Sequence, residues 1–306
     1  MKKLLLSIFI ISGVMSASEY NLKPIKITND ITCVIGDFHP PMKSNKGFVS
    51  NMCYVNMGDS LVVLDAGPTY KFANEFYALM SKEYPKLKVS NVVLTNYHDD
   101  RIGGAYFFKE LGANIIGHST LNAEIEHHKD KFGRLAMFMS KEFLEGTNII
   151  PATKLVDGGY KIKGSKKTLE ILKLSETSEE RSDIVIYSKD DSFLFVGNIV
   201  FNGRALNYRK TSNMTGWIEA LENIDKINAK YVLGGHGKQF DKDAHKYSLE
   251  YLKTLHIGVK KAYEEELEDG DLIKAVNVEK FNTVNHFKQL NYNNINNYVE
   301  QLEFAD

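Results

Sequence analysis

Runs of apolar residues predict several strands and a helix in the first half of the chain. Residues 31–36, 50–57 and 61–65 are apolar, β-branched or alternating, and turn residues such as Gly58 separate them. Apolar side chains then recur at helical spacing over 72–80, which predicts a helix. A further buried strand, VSNVVLTN, ends directly in the polar loop YHDDR. Each of these strands therefore leads into a turn or a polar loop.

The second half repeats this plan of strands followed by helices. The predicted elements are strands in TLEILKL, SDIVIYS, DSFLFVGNIVF and KYVLGGHG, and helices over 213–227 and 242–268. Asn213 or Thr215 is the expected N-cap of the first of these helices. Two strand-rich halves that each carry helices predict an α/β sandwich, with two sheets packed together and helices outside.

The two ends of the chain differ in composition from its middle. Residues 1–18 have a basic start, an apolar stretch of roughly a dozen residues and small residues at a cut site, which is typical of a secretory signal peptide. We expect an exported, periplasmic protein without a membrane span in its mature form, and a retained anchor is the alternative. A folded domain is predicted over 19–268. Over 269–306 we predict a helical appendage, with its asparagines at surface and cap positions.

Composition and cysteine content add two constraints. The 306 residues carry a formal net charge of −1, which argues against a nucleic-acid partner because phosphate binding needs a concentrated basic face. Oligomeric state stays open. Cys33 and Cys53 are the only cysteines, and in an oxidising compartment they could join neighbouring strands. We favour the interpretation that both are buried thiols, since their neighbours are apolar.

Polar side chains with the chemistry of metal ligands stand at the ends of the predicted strands. The candidate ligands are His98, Asp100, Asn198 and His236, together with an acidic residue of the loop SETSEERSD, which offers Glu176, Glu179, Glu180 and Asp183. Histidine nitrogen and carboxylate oxygen are common ligands of Zn²⁺, and a catalytic zinc needs only three protein ligands and an open position for water. The pattern therefore predicts a site for Zn²⁺, or another divalent metal, at this edge of the sheets, and the departures from the family described below limit it to at most one ion.

These stretches resemble the metallo-β-lactamase superfamily, whose pattern is H-x-H-x-D-H, then His, then Cys or Asp, then His, each at a strand end. The matching stretches are LVVLDAGPT, TNYHDDRIGG, ET within SETSEE, FLFVGN and LGGHG, in the same order as in the family. The C-terminal tail also resembles periplasmic members grouped with sulfur-oxidation and quinoprotein-associated metallohydrolases. The resemblance implies the αββα metallo-β-lactamase sandwich and a metal-dependent hydrolase.

Position by position, the resemblance is incomplete at the metal ligands. The residues that keep the family's ligands are His98, Asp100 and His236. The residues that replace a ligand are Asn96, Arg101, Glu176 and Asn198. Glu179 competes with Glu176 for its position, because the loop carries an insertion. Asp65 corresponds to the family carboxylate that orients the loop backbone and the ligands.

The first functional interpretation is a hydrolase of a small ester, amide or thioester. One metal would be held by His98 with Glu176, or by Asp100 with His236 and Asn198, and would acidify a bound water. Asp100 would orient that water or accept a proton, and His98 would act as general acid or base. The expected substrate contacts are Arg101, whose guanidinium can hold an anionic group, and Asn96.

The second interpretation is a non-catalytic, metal-free descendant that binds a ligand or a partner. Arg101 would pair with Asp100 or with a glutamate of 176–180, so that a guanidinium supplies the charge of the lost metal. Arg101 cannot be deprotonated in a protein, and it stands where a cation would otherwise bind. The sequence leaves the substrate or ligand open.

Overall fold

A computed structural model of the chain describes residues 19–132 and 139–304. The predicted signal peptide, 1–18, lies outside the described residues. Among the helices of the described part, none is both long enough and apolar enough to cross a membrane.

The first half of the chain forms a seven-stranded sheet. Its strands are β1 (Pro24–Lys26), β2 (Ile31–Val34), β3 (Met52–Asn56), β4 (Leu61–Leu64), β5 (Val89–Val93), β6 (Asn114–His118) and β7 (Lys154–Val156). They lie side by side in chain order, antiparallel from β1 to β4 and parallel from β4 to β7. The strands predicted from 31–36, 50–57 and 61–65 are confirmed as β2, β3 and β4.

The second half forms a five-stranded sheet in the order β12-β11-β10-β9-β8. Its strands are β8 (Tyr160–Lys163), β9 (Thr168–Leu172), β10 (Val185–Ser188), β11 (Phe193–Phe195) and β12 (Tyr231–Leu233). β11 and β12 run parallel, and the other neighbours run antiparallel. The carboxyl ends of β11 and β12 therefore lie together at one edge of this sheet.

Helices cover the outer faces of both sheets. They are α1 (Tyr70–Glu83), α2 (Asp99–Ile102), α3 (Ala105–Glu110), α4 (Leu121–His127), α5 (Met214–Ile227), α6 (Lys246–Glu264), α7 (Asp269–Val276) and α8 (Phe287–Glu303). The Asn213 side chain caps α5 by accepting the backbone N–H of Gly216 at 2.7 Å, which confirms one of the two predicted caps.

The hydrophobic core lies in three layers. The middle layer joins the two sheets, and it includes Val62 and Val93 of the first sheet and Ile186 and Phe195 of the second. Separate layers pack α1 and α3 against the first sheet and α5 and α6 against the second. Helix, sheet, sheet, helix is the predicted αββα sandwich, which is thus confirmed.

Cys33 and Cys53 form a disulfide, so the favoured interpretation of two free thiols is wrong. The two residues lie directly opposite each other in the β2–β3 ladder, and both are fully buried. Opposite residues in an antiparallel pair have close Cβ atoms, which allows the bond. The exact strand register decides this pairing.

The C-terminal helices α7 and α8 pack into the core layer of the second sheet. Phe287, Ile295 and Tyr298 of α8 are buried in the same layer as α5 and α6. Asn294 is also fully buried, which corrects the expectation that these asparagines lie at the surface. It accepts the N–H of Tyr208 at 2.8 Å and donates to the backbone of Leu206 and the hydroxyl of Tyr251.

Candidate functional site

The predicted site residues come together because each follows the carboxyl end of a strand. The loop after β5 carries His98 and leads into α2, which holds Asp100 and Arg101. Asn198 lies in a short 3-10 helix after β11, and His236 follows β12. Packing the two sheets against each other brings these loops to one edge of the sandwich.

Arg101 lies at the centre of this edge with no solvent exposure. Its guanidinium forms an ion pair with Asp65 and donates a hydrogen bond to the side-chain oxygen of Asn198. The expected pairing with Asp100 or with a glutamate of 176–180 is therefore wrong. A Cβ atom at Gly235 would overlap this guanidinium, so the glycine before His236 makes room for it.

Asp65 is fixed in place for this role by its own loop. Its carboxylate accepts the backbone N–H of Thr95 at 2.7 Å and the Thr95 hydroxyl at 2.8 Å. Its backbone has a φ of 61°, in the left-handed region that Asp and Asn tolerate better than most residues. Burial raises the pKa of the Asp65 carboxyl, and the Arg101 guanidinium opposes that shift.

Both ring nitrogens of His98 are already hydrogen-bonded. Asn198 uses its oxygen for Arg101, so its amide nitrogen donates to Nδ1 of His98 at 2.8 Å. The proton of the imidazole is then on Nε2, which donates to Glu180 at 2.9 Å. Burial lowers the pKa of His98 well below its usual value, so the ring is neutral.

The glutamate beside His98 is Glu180 and not Glu176, which the family resemblance favoured. Glu176 is exposed and does not line the cavity, whereas Glu179 and Glu180 are buried. Asp183 causes this, because its carboxylate accepts the Ser178 hydroxyl and the backbone N–H of Glu180, both at 2.7 Å. The loop therefore folds so that its later carboxylates turn inwards.

The two residues predicted to contact a substrate lie behind the cavity wall. Asn96 is fully buried, donates to Asp183 at 3.0 Å and accepts the backbone N–H of His98. Neither Asn96 nor Arg101 lines the cavity. Asn96 joins the loop after β5 to the loop that carries Asp183. Arg101 joins α2 to Asp65 and Asn198.

His236 and Asp100 both face the cavity. Nδ1–H of His236 donates to the carbonyl of Val49 at 2.8 Å, which leaves Nε2 as an acceptor 3.8 Å from the Asp100 carboxylate. The ring stacks on Phe201 with centroids 4.7 Å apart. Burial lowers the pKa of His236 well below its usual value, so this ring is also neutral.

The cavity has a volume of about 730 Å³ and presents charges of both signs. The sequence did not reveal its cationic residues, because no recognisable motif surrounds them. They are Lys131, Arg204, Arg209 and Lys210. Arg209 Nε lies 3.6 Å from Glu179 and 3.8 Å from Glu180. Burial raises the pKa of Glu179 to about 8 and that of Glu180 to about 7, and Arg209 opposes both shifts.

Two packed sheets between outer helices, with polar loops at one edge, define the class of αββα sandwich proteins. The family model "Metallo-beta-lactamase superfamily" matches residues 45–236, more than half of the chain. The chain therefore belongs to the metallo-β-lactamase superfamily, and the resemblance seen in the sequence is confirmed.

Known relatives and solved structures agree with this assignment. A metallo-β-lactamase type 2 from Bacillus sp. (strain 170) is 28% identical over 250 residues, covering 79% of this chain and 84% of the relative. The Bacillus cereus enzyme of the same name is 26% identical over 247 residues, with 79% and 84% covered. The metallo-β-lactamase structure from Pontibacter korlensis is 17% identical, with a TM-score of 0.62 over 76% of this chain and 99% of that one. At this identity the structural match shows the fold alone.

Members of this superfamily typically bind zinc, and the side chains of this site do not fit such a metal. Within 19–132 and 139–304, no three His, Cys, Asp or Glu side chains are placed to hold one ion. Both ring nitrogens of His98 already form hydrogen bonds, and the side-chain oxygen of Asn198 accepts one from Arg101. Asp100 and His236 remain, and two ligands are fewer than the three of a catalytic zinc site.

Proposed function

We propose that this protein is a ligand-binding member of the metallo-β-lactamase superfamily that works without a metal. Its ligand is a small molecule that enters the cavity at the edge of the two sheets. The apolar N-terminal segment supports export to a periplasm. A β-lactamase activity is a property named for the relatives, and we do not extend it to this chain.

The single observation that carries this proposal is the placement of Arg101. The guanidinium is fully buried and bridges Asp65 to Asn198, so a permanent cation compensates the carboxylate. An uncompensated buried charge is strongly unfavourable, and this one is paired. A divalent ion beside the guanidinium would meet electrostatic repulsion instead of a free carboxylate.

One observation favours the alternative, a hydrolase with one divalent metal. The Asp100 carboxylate and the unprotonated Nε2 of His236 lie 3.8 Å apart and face the same cavity. Both are residues that the family uses as ligands. A third ligand is absent beside them among the described residues, and the zinc titration below separates the two functions.

Calorimetric titration with ZnCl₂ tests the proposal on protein purified without an affinity tag. We expect the wild type to bind zinc more weakly than about 10 µM, because only two ligands are available. The double variant Arg101→His with Asn198→Asp adds two ligands and should bind at least about ten times more tightly. Equal zinc affinity of the two proteins would contradict the proposal. Circular dichroism of both proteins controls for folding.

A further inference from the structure

We infer that the ligand of this cavity is a zwitterion, an amino-acid-like molecule with an anionic group for Arg204, a cationic group for Asp100 and an apolar body. This inference rests on the proposed metal-free binding function and adds the chemical class of the ligand. It follows from charges that face the cavity without a partner.

Arg204 is a cavity-lining cation with two unsatisfied donor atoms. It lines the cavity, and its Nε and Nη1 atoms are buried without a hydrogen-bond partner among the described residues. Two other cations line the same cavity, but each lies near a carboxylate. Arg209 lies near Glu179 and Glu180, and Lys210 pairs with Glu300. A buried guanidinium without a partner is costly, and a carboxylate is the group that matches its fork of donors.

Asp100 is the corresponding anion. Its only ion contact within the described part of the chain is His236 at 3.8 Å, and the Nδ1–H of that ring is directed to the carbonyl of Val49 instead. Asp99 lines the cavity beside it, so this wall repels an anion. A primary ammonium group placed here would gain charge-assisted hydrogen bonds from a carboxylate that forms no salt bridge with a lysine or arginine among the described residues.

Arg204 and Asp100 face the same cavity without a direct ion pair between them. Their charges attract each other through space, but no salt bridge joins the two side chains in the described part of the chain. Arg204 is held over the Phe201 ring at 5.9 Å, and the backbone carbonyl of Asp100 accepts the Ser50 hydroxyl at 2.8 Å. Because these contacts hold Arg204 and Asp100 apart, a ligand that carries both charges can pair with both side chains.

A ligand with one charge fits this cavity less well. An anion alone would meet Arg204 but leave Asp100 unpaired and would approach the carboxyl group of Asp99. A cation alone would meet Asp100 but leave the buried N–H groups of Arg204 unpaired and would approach Lys131. Either partial match keeps one buried charge without compensation.

The apolar body has aromatic surfaces to contact. Tyr97 and His128 stack in parallel with centroids 4.6 Å apart, and both line the cavity. The second stacked pair is His236 on Phe201, next to Arg204. A planar or aromatic side chain of the ligand that packs against these rings would bury apolar surface and make ring contacts.

Three matched probes test this inference on the full-length protein by calorimetry in the presence of EDTA. Phenylalanine carries both charges, N-acetylphenylalanine carries only the anion, and phenylalaninamide carries only the cation. We expect phenylalanine to bind at least about tenfold more tightly than either single-charge probe, because each loses one charged hydrogen-bonded contact.

Substitutions assign the two charges to residues. Arg204→Met should abolish the preference for phenylalanine over phenylalaninamide, and Asp100→Asn should abolish the preference over N-acetylphenylalanine. Arg181→Met, which changes an exposed arginine outside the cavity, is the matched control and should keep both preferences. Thermal unfolding of each variant shows whether it is folded.

The outcomes separate this inference from the proposed function. Equal binding of phenylalanine and either single-charge probe overturns the zwitterion, as does absence of binding by all three probes up to about 10 mM. Preferences that survive Arg204→Met and Asp100→Asn also overturn it. If phenylalanine binds only with added zinc and is released by EDTA, the metal-free function is overturned instead. In that case the preference for both charges is measured on the zinc-loaded protein.

Discussion

Removal of the Arg101 guanidinium should destabilise the fold strongly. Arg101 and Asp65 both have 0% side-chain exposure, and the guanidinium is the cation paired with that carboxylate. Arg101→Met keeps much of the side-chain length but leaves Asp65 without compensation. Breaking a buried ion pair in this way costs about 3–5 kcal/mol. For a domain of this size that corresponds to a fall in Tm on the order of 10 °C.

The double variant Arg101→Met with Asp65→Asn separates the lost charge pair from lost packing. Asparagine tolerates the φ of 61° at this position and can still accept the N–H of Thr95. We therefore expect the double variant to recover most of the lost stability, to within about 2 kcal/mol of the wild type. Thermal and urea unfolding with the disulfide intact measure both effects. A cost below about 1 kcal/mol for Arg101→Met would refute the reasoning, as would a double variant no more stable than the single one.

Three further predictions concern pH, the disulfide and the C-terminal helix. Glu179 has a pKa raised from 4.5 to about 8, so the folded state holds a proton that the unfolded chain has released. This stabilisation is lost as pH rises through 8. The free energy of unfolding should therefore fall by about 2 kcal/mol from pH 6.5 to 8.5. Glu179→Gln should make this pH dependence smaller. Reduction of Cys33–Cys53, which closes a loop of 20 residues, should cost about 3 kcal/mol in urea unfolding, and an unchanged urea midpoint would contradict this. Asn294→Ala removes three buried hydrogen bonds and should cost about 2–4 kcal/mol, whereas exposed Asn293→Ala should cost less than about 0.5 kcal/mol; similar costs would contradict the role of Asn294.

The fold could be predicted from the sequence because its signals are local. Apolar runs that end in polar loops mark β4, β5, β11 and β12, and period and length are enough to place them. The retained residues Asp65, His98, Asp100 and His236 stand at those strand ends, so their meeting follows from the topology. The family's sequence pattern records the same arrangement.

The details of the site depend on long-range contacts that the sequence does not display. Glu180 rather than Glu176 reaches His98, because Asp183 folds the intervening loop. Arg204 faces the cavity from a loop without periodic apolar residues, and its importance appears only when its partners are sought in space.

The contacts between distant strands and helices also could not be predicted from local sequence patterns. The disulfide depends on the exact β2–β3 register, which a one-residue shift would destroy. Asn294 is polar in sequence but fully buried in space, because it satisfies backbone groups of the segment before α5. Composition alone places such an asparagine at the surface.

The metal content of the untagged protein, purified from cells supplied with zinc and without chelators, tests the central claim most directly. Because Arg101 supplies the positive charge and the remaining ligands are too few, elemental analysis should find less than about a tenth of an equivalent of zinc, manganese or iron per chain. One equivalent of any of these metals, retained through gel filtration and lost in Asp100→Ala and His236→Ala, would contradict the claim that the guanidinium has taken the metal's place.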